Sequence, residues 1–176
     1  MRTILVRSFI TAVAAVAVFP VPASAAGSGT TPLTAQVDSG TLDITVPTTS
    51  VSLGTVTAST SPQTVTSQIG DVVVTDGRGG TVGWTATANA VDFTGPQNIS
   101  VSAAGSSSYT SPTAVVTGTA TVANADLTAL YPPGPVQTAT GVSGINTATW
   151  NPTISLTIPG NALTGTYSST LTHSVA

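Results

Sequence analysis

The sequence predicts an all-β fold, a single antiparallel β-sandwich of immunoglobulin-like architecture, and three observations predict it. About one residue in five is Thr and Val is frequent; both are β-branched and suit a pleated, half-buried surface. Lys and Glu, two strong helix formers, are absent altogether. Short segments alternate apolar and polar residues and are separated by Gly, Pro and Asn, the spacing expected of a sandwich.

The chain opens with a secretory leader. Arg2 and Arg7 give a positive start, Phe9 to Val18 an apolar run, and Ala23-Ser24-Ala25 a small-residue cleavage site. The run is short for a hydrocarbon core of about 30 Å, so residues 1–25 read as a signal peptide rather than an anchor. Residues 26–40, rich in Gly, Ser, Thr and Pro, read as a flexible stretch, and residues 41–176 as one domain without internal repeats.

Strand signals follow in order. Leu42, Ile44 and Val46 alternate with polar neighbours until Pro47. Val51 to Ala58 and Thr64 to Ile69 are further strands across the break at Ser61-Pro62. Asp71 to Asp76 and Val82 to Ala90 flank Gly77-Arg78-Gly79-Gly80. This pattern predicts a hairpin with Arg78 at an exposed tip and Asp76 shaping the turn through an Asx-type hydrogen bond. Trp84 shares a face with Ala86 and Ala88, which marks it as a core anchor with room for its ring.

Asn98 to Ala103 and Ala114 to Ala123 are expected strands across a Gly-Ser-rich loop that carries Tyr109. Asp126 to Leu130 reads as a short strand or one helical turn. Tyr131-Pro132-Pro133-Gly134-Pro135 reads as an irregular connection, because Pro lacks the N–H a central ladder needs. Ile154, Leu156 and Ile158 alternate before a turn at Pro159-Gly160-Asn161. Tyr167, Ser169, Leu171, His173 and Val175 then share one face of the last strand.

Composition narrows the function. Beyond the leader, one cation, Arg78, stands against six aspartates and leaves a formal charge of −5. Nucleic acid is excluded, since phosphate binding needs clustered Lys and Arg, and insertion into a membrane after leader removal is not expected. Cys is absent, so no disulfide holds this exported chain. His173 is the only His, and Gly141-Val142-Ser143-Gly144 lacks the final glycine of a nucleophile elbow. Acid–base chemistry has almost no side chains to use, which argues against an enzyme.

A lone His lacks co-ligands for a metal, so His173 reads as a polar residue packed on an edge strand. Asp71, Asp76 and Asp92 have no EF-hand spacing and read as solvated turn residues. Neither metal nor cofactor is expected. Arg78 is either a solvated loop charge or a contact to a partner. Asn98-Ile99-Ser100 fits a glycosylation sequon but lies inside an expected strand, and reads as coincidence.

Two segments resemble the WxL-type cell-surface domain of Gram-positive bacteria. The first runs Val74-Thr75-Asp76-Gly77-Arg78-Gly79-Gly80-Thr81-Val82-Gly83-Trp84-Thr85-Ala86; it is similar to the family's Asp-x-Arg-Gly turn leading into Gly-Trp-x-Leu, with Ala86 at the Leu position. The second, Gly165 to Val175, resembles the closing strand that begins at a Tyr (here Tyr167) and ends in a second Trp-x-Leu. His173 and Val175 stand at those last positions. The resemblance covers most of the chain from about Gly40 and implies a β-sandwich that binds the cell wall non-covalently.

The expectation is therefore a secreted, wall-associated, non-enzymatic module whose partner is peptidoglycan or another surface protein. Its motif positions are Asp76, Arg78, Trp84, Tyr167 and His173. A self-assembling surface subunit is the alternative, because edge strands without Lys or Glu lack the usual charge protection.

Overall fold

The computed structural model describes residues 27–176; the expected leader and its cleavage site lie outside the described residues. Residues 27–40 form no strand and are exposed throughout. Residues 37–176 make one compact unit of nine strands and, among the described residues, no helix.

The strands are β1 (Leu42–Thr45), β2 (Gln63–Gln68), β3 (Val72–Asp76), β4 (Trp84–Ala90), β5 (Ser107–Thr110), β6 (Val115–Asn124), β7 (Gly134–Trp150), β8 (Thr153–Ile158) and β9 (Leu171–Val175). All their pairings are antiparallel. One sheet has six strands organised on β7, and the other runs β2-β8-β5. The inward residues of both meet in one core, with Val72, Val74, Trp84, Ala148 and Trp150 from the large sheet and Val65, Tyr109, Ile154 and Leu156 from the small one. This is the all-β sandwich the alternation predicts.

β7 organises the architecture, and it went unread in the sequence. At ~3.3 Å per residue, its 17 residues are long enough for one edge to hold two shorter strands in tandem. β3 pairs with its end, Val72 opposite Trp150 and Asp76 opposite Asn146. β4 pairs with its beginning, Trp84 opposite Ala139 and Ala88 opposite Gly134. Both are antiparallel to β7, so they run in the same direction. The expected hairpin between them does not exist, and residues 77–83 carry the chain forward instead of reversing it. β6 covers the opposite edge of β7, while β1 and β9 flank β3 and β4.

Other expectations also change. Pro135 stands inside β7, opposite Thr87, where a bulge shifts the register and relieves the ladder of its missing N–H. Val51 to Ala58 forms no strand, although Leu53 and Val56 pack against the core. Ile99 makes only an isolated bridge to Phe93, and Leu127 one to Tyr109. Tyr109 is on β5, not in a loop, and is fully buried. Tyr167 precedes β9, half-buried, and its hydroxyl donates to the Leu163 carbonyl at 2.7 Å.

Candidate functional site

The segment after β3 closes on itself. Asp76 Oδ1 accepts from the Arg78 backbone N–H at 3.1 Å, the Asx-type bond that turns the chain. The same carboxylate forms a two-pronged ion pair with the guanidinium, Nε to Oδ1 at 2.8 Å and Nη2 to Oδ2 at 3.0 Å. Arg78 Nη2 also donates to the carbonyls of Val82 and Gly83 at 3.0 and 3.1 Å. Arg78 is thus a staple across residues 77–83, not an exposed tip, and Asp76 is buried rather than solvated. The Arg78 hydrogen bond, working against desolvation by burial, holds the Asp76 carboxyl below the usual Asp range; in return the guanidinium is raised further.

This cluster extends to Trp84. Asn146 Nδ2 donates to Asp76 Oδ2 at 3.3 Å, and its Oδ1 accepts from Trp84 Nε1 at 3.1 Å. The glycine before Trp84 is required by a close approach, because a Cβ at Gly83 would collide with the Ala139 carbonyl oxygen. Asp76, Gly77, Arg78, Gly83 and Trp84 therefore form one unit that locks β3 and β4 onto β7.

His173 belongs to a second network. Trp150 Nε1 donates to Tyr109 Oη at 2.9 Å, and that hydroxyl stands 3.0 Å from His173 Nε2. The Tyr109 hydroxyl thus joins Trp150 to His173, and which atom donates in its contact with His173 Nε2 is set by the imidazole tautomer. Burial lowers the His173 pKa to about 4 and raises that of Tyr109 well above its ordinary value. Tyr167 and His173 line one groove between the sheets.

Among the described residues no cluster of His, Cys, Asp or Glu is placed to hold a metal ion. Asp92 accepts from the Val101 N–H at 2.9 Å and Asp126 from the Ser111 N–H at 2.8 Å, so both serve the backbone. Ser143 lies mid-strand in β7 opposite Thr119, not at a strand-to-helix elbow.

The motif residues face inward, which leaves the outer face of the large sheet as the extended surface. Strand alternation puts one hydroxyl after another on it. Thr75 stands opposite Thr147, and Thr147 opposite Thr117. Thr85 stands opposite Thr138, Thr87 opposite Ser174, and Asn89 opposite Thr172. Neighbouring hydroxyls thus repeat at ~4.8 Å across strands and ~6.7 Å along them. Val73 and Val115 flank Thr149 on the same face, and its charge is Asp43, on edge strand β1 opposite Thr75. The sequence predicts no strand between Gly134 and Trp150, where Gly141 and Gly144, both at positive φ, interrupt the alternation. The short pattern Thr147-Ala148-Thr149-Trp150 held the signal.

No family model, curated protein or solved structure matches this chain.

Proposed function

We propose that this protein is a secreted, non-enzymatic binding module of the Gram-positive cell envelope, related to WxL-type domains, that attaches non-covalently to peptidoglycan. The observation that carries this reading is the hydroxyl array on the large sheet. A nearly uncharged, registered surface of Thr and Ser suits a neutral, hydroxyl- and amide-bearing polymer such as a wall glycan. Such a polymer offers repeating hydrogen-bond partners and little charge.

The Asp76–Arg78–Trp84 unit supports the same reading in a different way. Its polar groups are used to fix β3 and β4 in line along β7, and that alignment puts Thr75, Thr85 and Thr87 along the same edge of that strand. In this view the resemblance motif is scaffold and the threonines are the contact. Co-sedimentation of the chain from Ala26 onward with purified peptidoglycan tests the proposal. Recovery of the protein in the pellet supports it, and retention in the supernatant refutes it.

A further inference from the structure

The small sheet carries a second hydroxyl array on its outer face, turned away from the first. Val65, Tyr109, Ile154 and Leu156 of β2, β5 and β8 point into the core, so alternation puts Thr64, Thr66, Ser108, Ser155 and Thr157 outside. Thr64 stands opposite Thr157, and Thr66 opposite Ser155, which in turn stands opposite Ser108. The hydroxyl oxygens of Thr66 and Ser155 are 3.0 Å apart, and those of Thr64 and Thr157 3.5 Å.

At one end this array is concave. A depression of about 400 Å³ is lined by Thr64, Ser108, Ser155 and Thr157 from the sheet and by Gly105 and Thr128 from the connections beside it. Thr64, Gly105 and Thr128 are exposed, so it opens to solvent. Its shape is fixed by the backbone: the Thr157 N–H donates to the Ser106 carbonyl at 2.8 Å and the Gly105 N–H to the Thr128 carbonyl at 3.3 Å. Thr157 Oγ1 donates to the Gly105 carbonyl at 3.0 Å. The Ser107 hydroxyl also borders the depression but serves Val101 and Leu130. The hydroxyls of Ser108 and Thr128 make no hydrogen bond among the described residues.

No lining residue is charged, so an ion finds no countercharge there. An apolar ligand leaves the hydroxyls unpaired, which costs free energy. A sugar ring suits both parts of the lining, its hydroxyls meeting the Ser and Thr hydroxyls and its C–H faces the threonine methyls. The volume falls in the range of small-molecule sites, about 300–1,000 Å³.

We propose that this depression binds one ring of a neutral sugar chain through Thr64, Ser108, Thr128 and Ser155. The class of ligand rests on the wall-glycan reading above, but the residues are different and lie on the opposite face of the sandwich. One molecule then holds two glycan strands, and the two contacts together bind the wall more tightly than either alone.

Titration of the chain from Ala26 onward with chitotetraose, a neutral and soluble N-acetylglucosamine oligomer, tests this through backbone amide chemical shifts. The amides of Thr64, Gly105, Ser108 and Ser155 are expected to shift together and to saturate. Ser108→Ala/Thr128→Val is expected to keep the wild-type Tm and to bind at this site at least ~10-fold more weakly. Thr64→Arg, at an exposed position on an edge strand, places a long side chain over the depression and abolishes the response. Thr85→Val/Thr138→Val/Thr147→Val/Thr149→Val alters the other face and leaves the response at these four amides unchanged, even where attachment to peptidoglycan is lost. Absence of a saturable shift at these amides in the wild type overturns the proposal. So does wild-type affinity at this site in Ser108→Ala/Thr128→Val or Thr64→Arg, or loss of the response in the four-threonine variant.

Discussion

Asp76 and Trp84 share one side chain: Asn146 donates to the Asp76 carboxylate at 3.3 Å and accepts the Trp84 indole N–H at 3.1 Å. The bridge joins the end of β3 to the start of β4 through β7. Trp84 is 2% exposed, so its removal leaves a cavity and an unpaired Asn146 oxygen. Trp84→Ala is expected to cost about 3–5 kcal/mol in denaturant unfolding. Trp84→Phe is expected to cost less, because a phenyl ring fills part of the indole's space while the N–H to Asn146 is lost. An unchanged midpoint in Trp84→Ala contradicts the core assignment.

Trypsin reads the state of Arg78, which is the sole cleavage point after Arg7. The Gly-rich sequence suggests a mobile tip that is nicked readily. The side chain is instead held by Asp76 and by two carbonyls. The folded protein is expected to resist trypsin and to yield two fragments only after denaturation. Arg78→Lys, which cannot reproduce the two-pronged contact, is expected to be cut while folded.

The Tyr109–His173 contact predicts a pH dependence. Burial holds the folded His173 near 4, below its ordinary 6.5, so the fold favours the neutral ring. That contribution is complete above pH 6.5 and is lost as pH falls toward 4, on the order of 3 kcal/mol over the whole window. Asp76, shifted below the ordinary 3.8, loses its contribution only at lower pH. In chemical denaturation, His173→Gln is expected to flatten the profile between pH 6.5 and 4 and to keep the fall below it. An unchanged wild-type slope in His173→Gln refutes the assignment.

The sequence revealed the fold class and the buried role of Trp84 because both depend on local alternation. It misled on pairing. Asp76-Gly77 is a strong local turn signal and the Asx-type bond to Arg78 forms, but β3 and β4 each pair with β7 instead of with each other, and the carboxylate also bonds Asn146, far along the chain. β7 itself was hidden because Gly134-Pro135, Gly141 and Gly144 are usual strand breakers, whereas here β7 tolerates them at bulges. Tyr109 was missed for a related reason: Gly105 and the neighbouring serines mark a loop, while the burial of Tyr109 depends on Trp150 and His173. Contacts between distant segments leave no local trace in composition.

The truncation of β9 follows from the same pairing. Leu171 to Val175 pair with Ala86 to Ala90, and His173 caps the buried Tyr109 hydroxyl. Deleting residues 172–176 removes that ladder and is expected to abolish the cooperative thermal transition. A truncated protein that melts cooperatively at the wild-type Tm contradicts this.

The measurement closest to the central claim is peptidoglycan binding by a variant that loses hydroxyls and nothing else. Thr85, Thr138, Thr147 and Thr149 lie on the outer face of β4 and β7, and Val keeps their shape and strand preference. Thr85→Val/Thr138→Val/Thr147→Val/Thr149→Val is expected to keep its Tm within a few degrees. In co-sedimentation with purified peptidoglycan it is expected to bind at least ~10-fold more weakly than wild type, about 1.4 kcal/mol. Equal binding by the two proteins, or no binding by the wild type, contradicts the account.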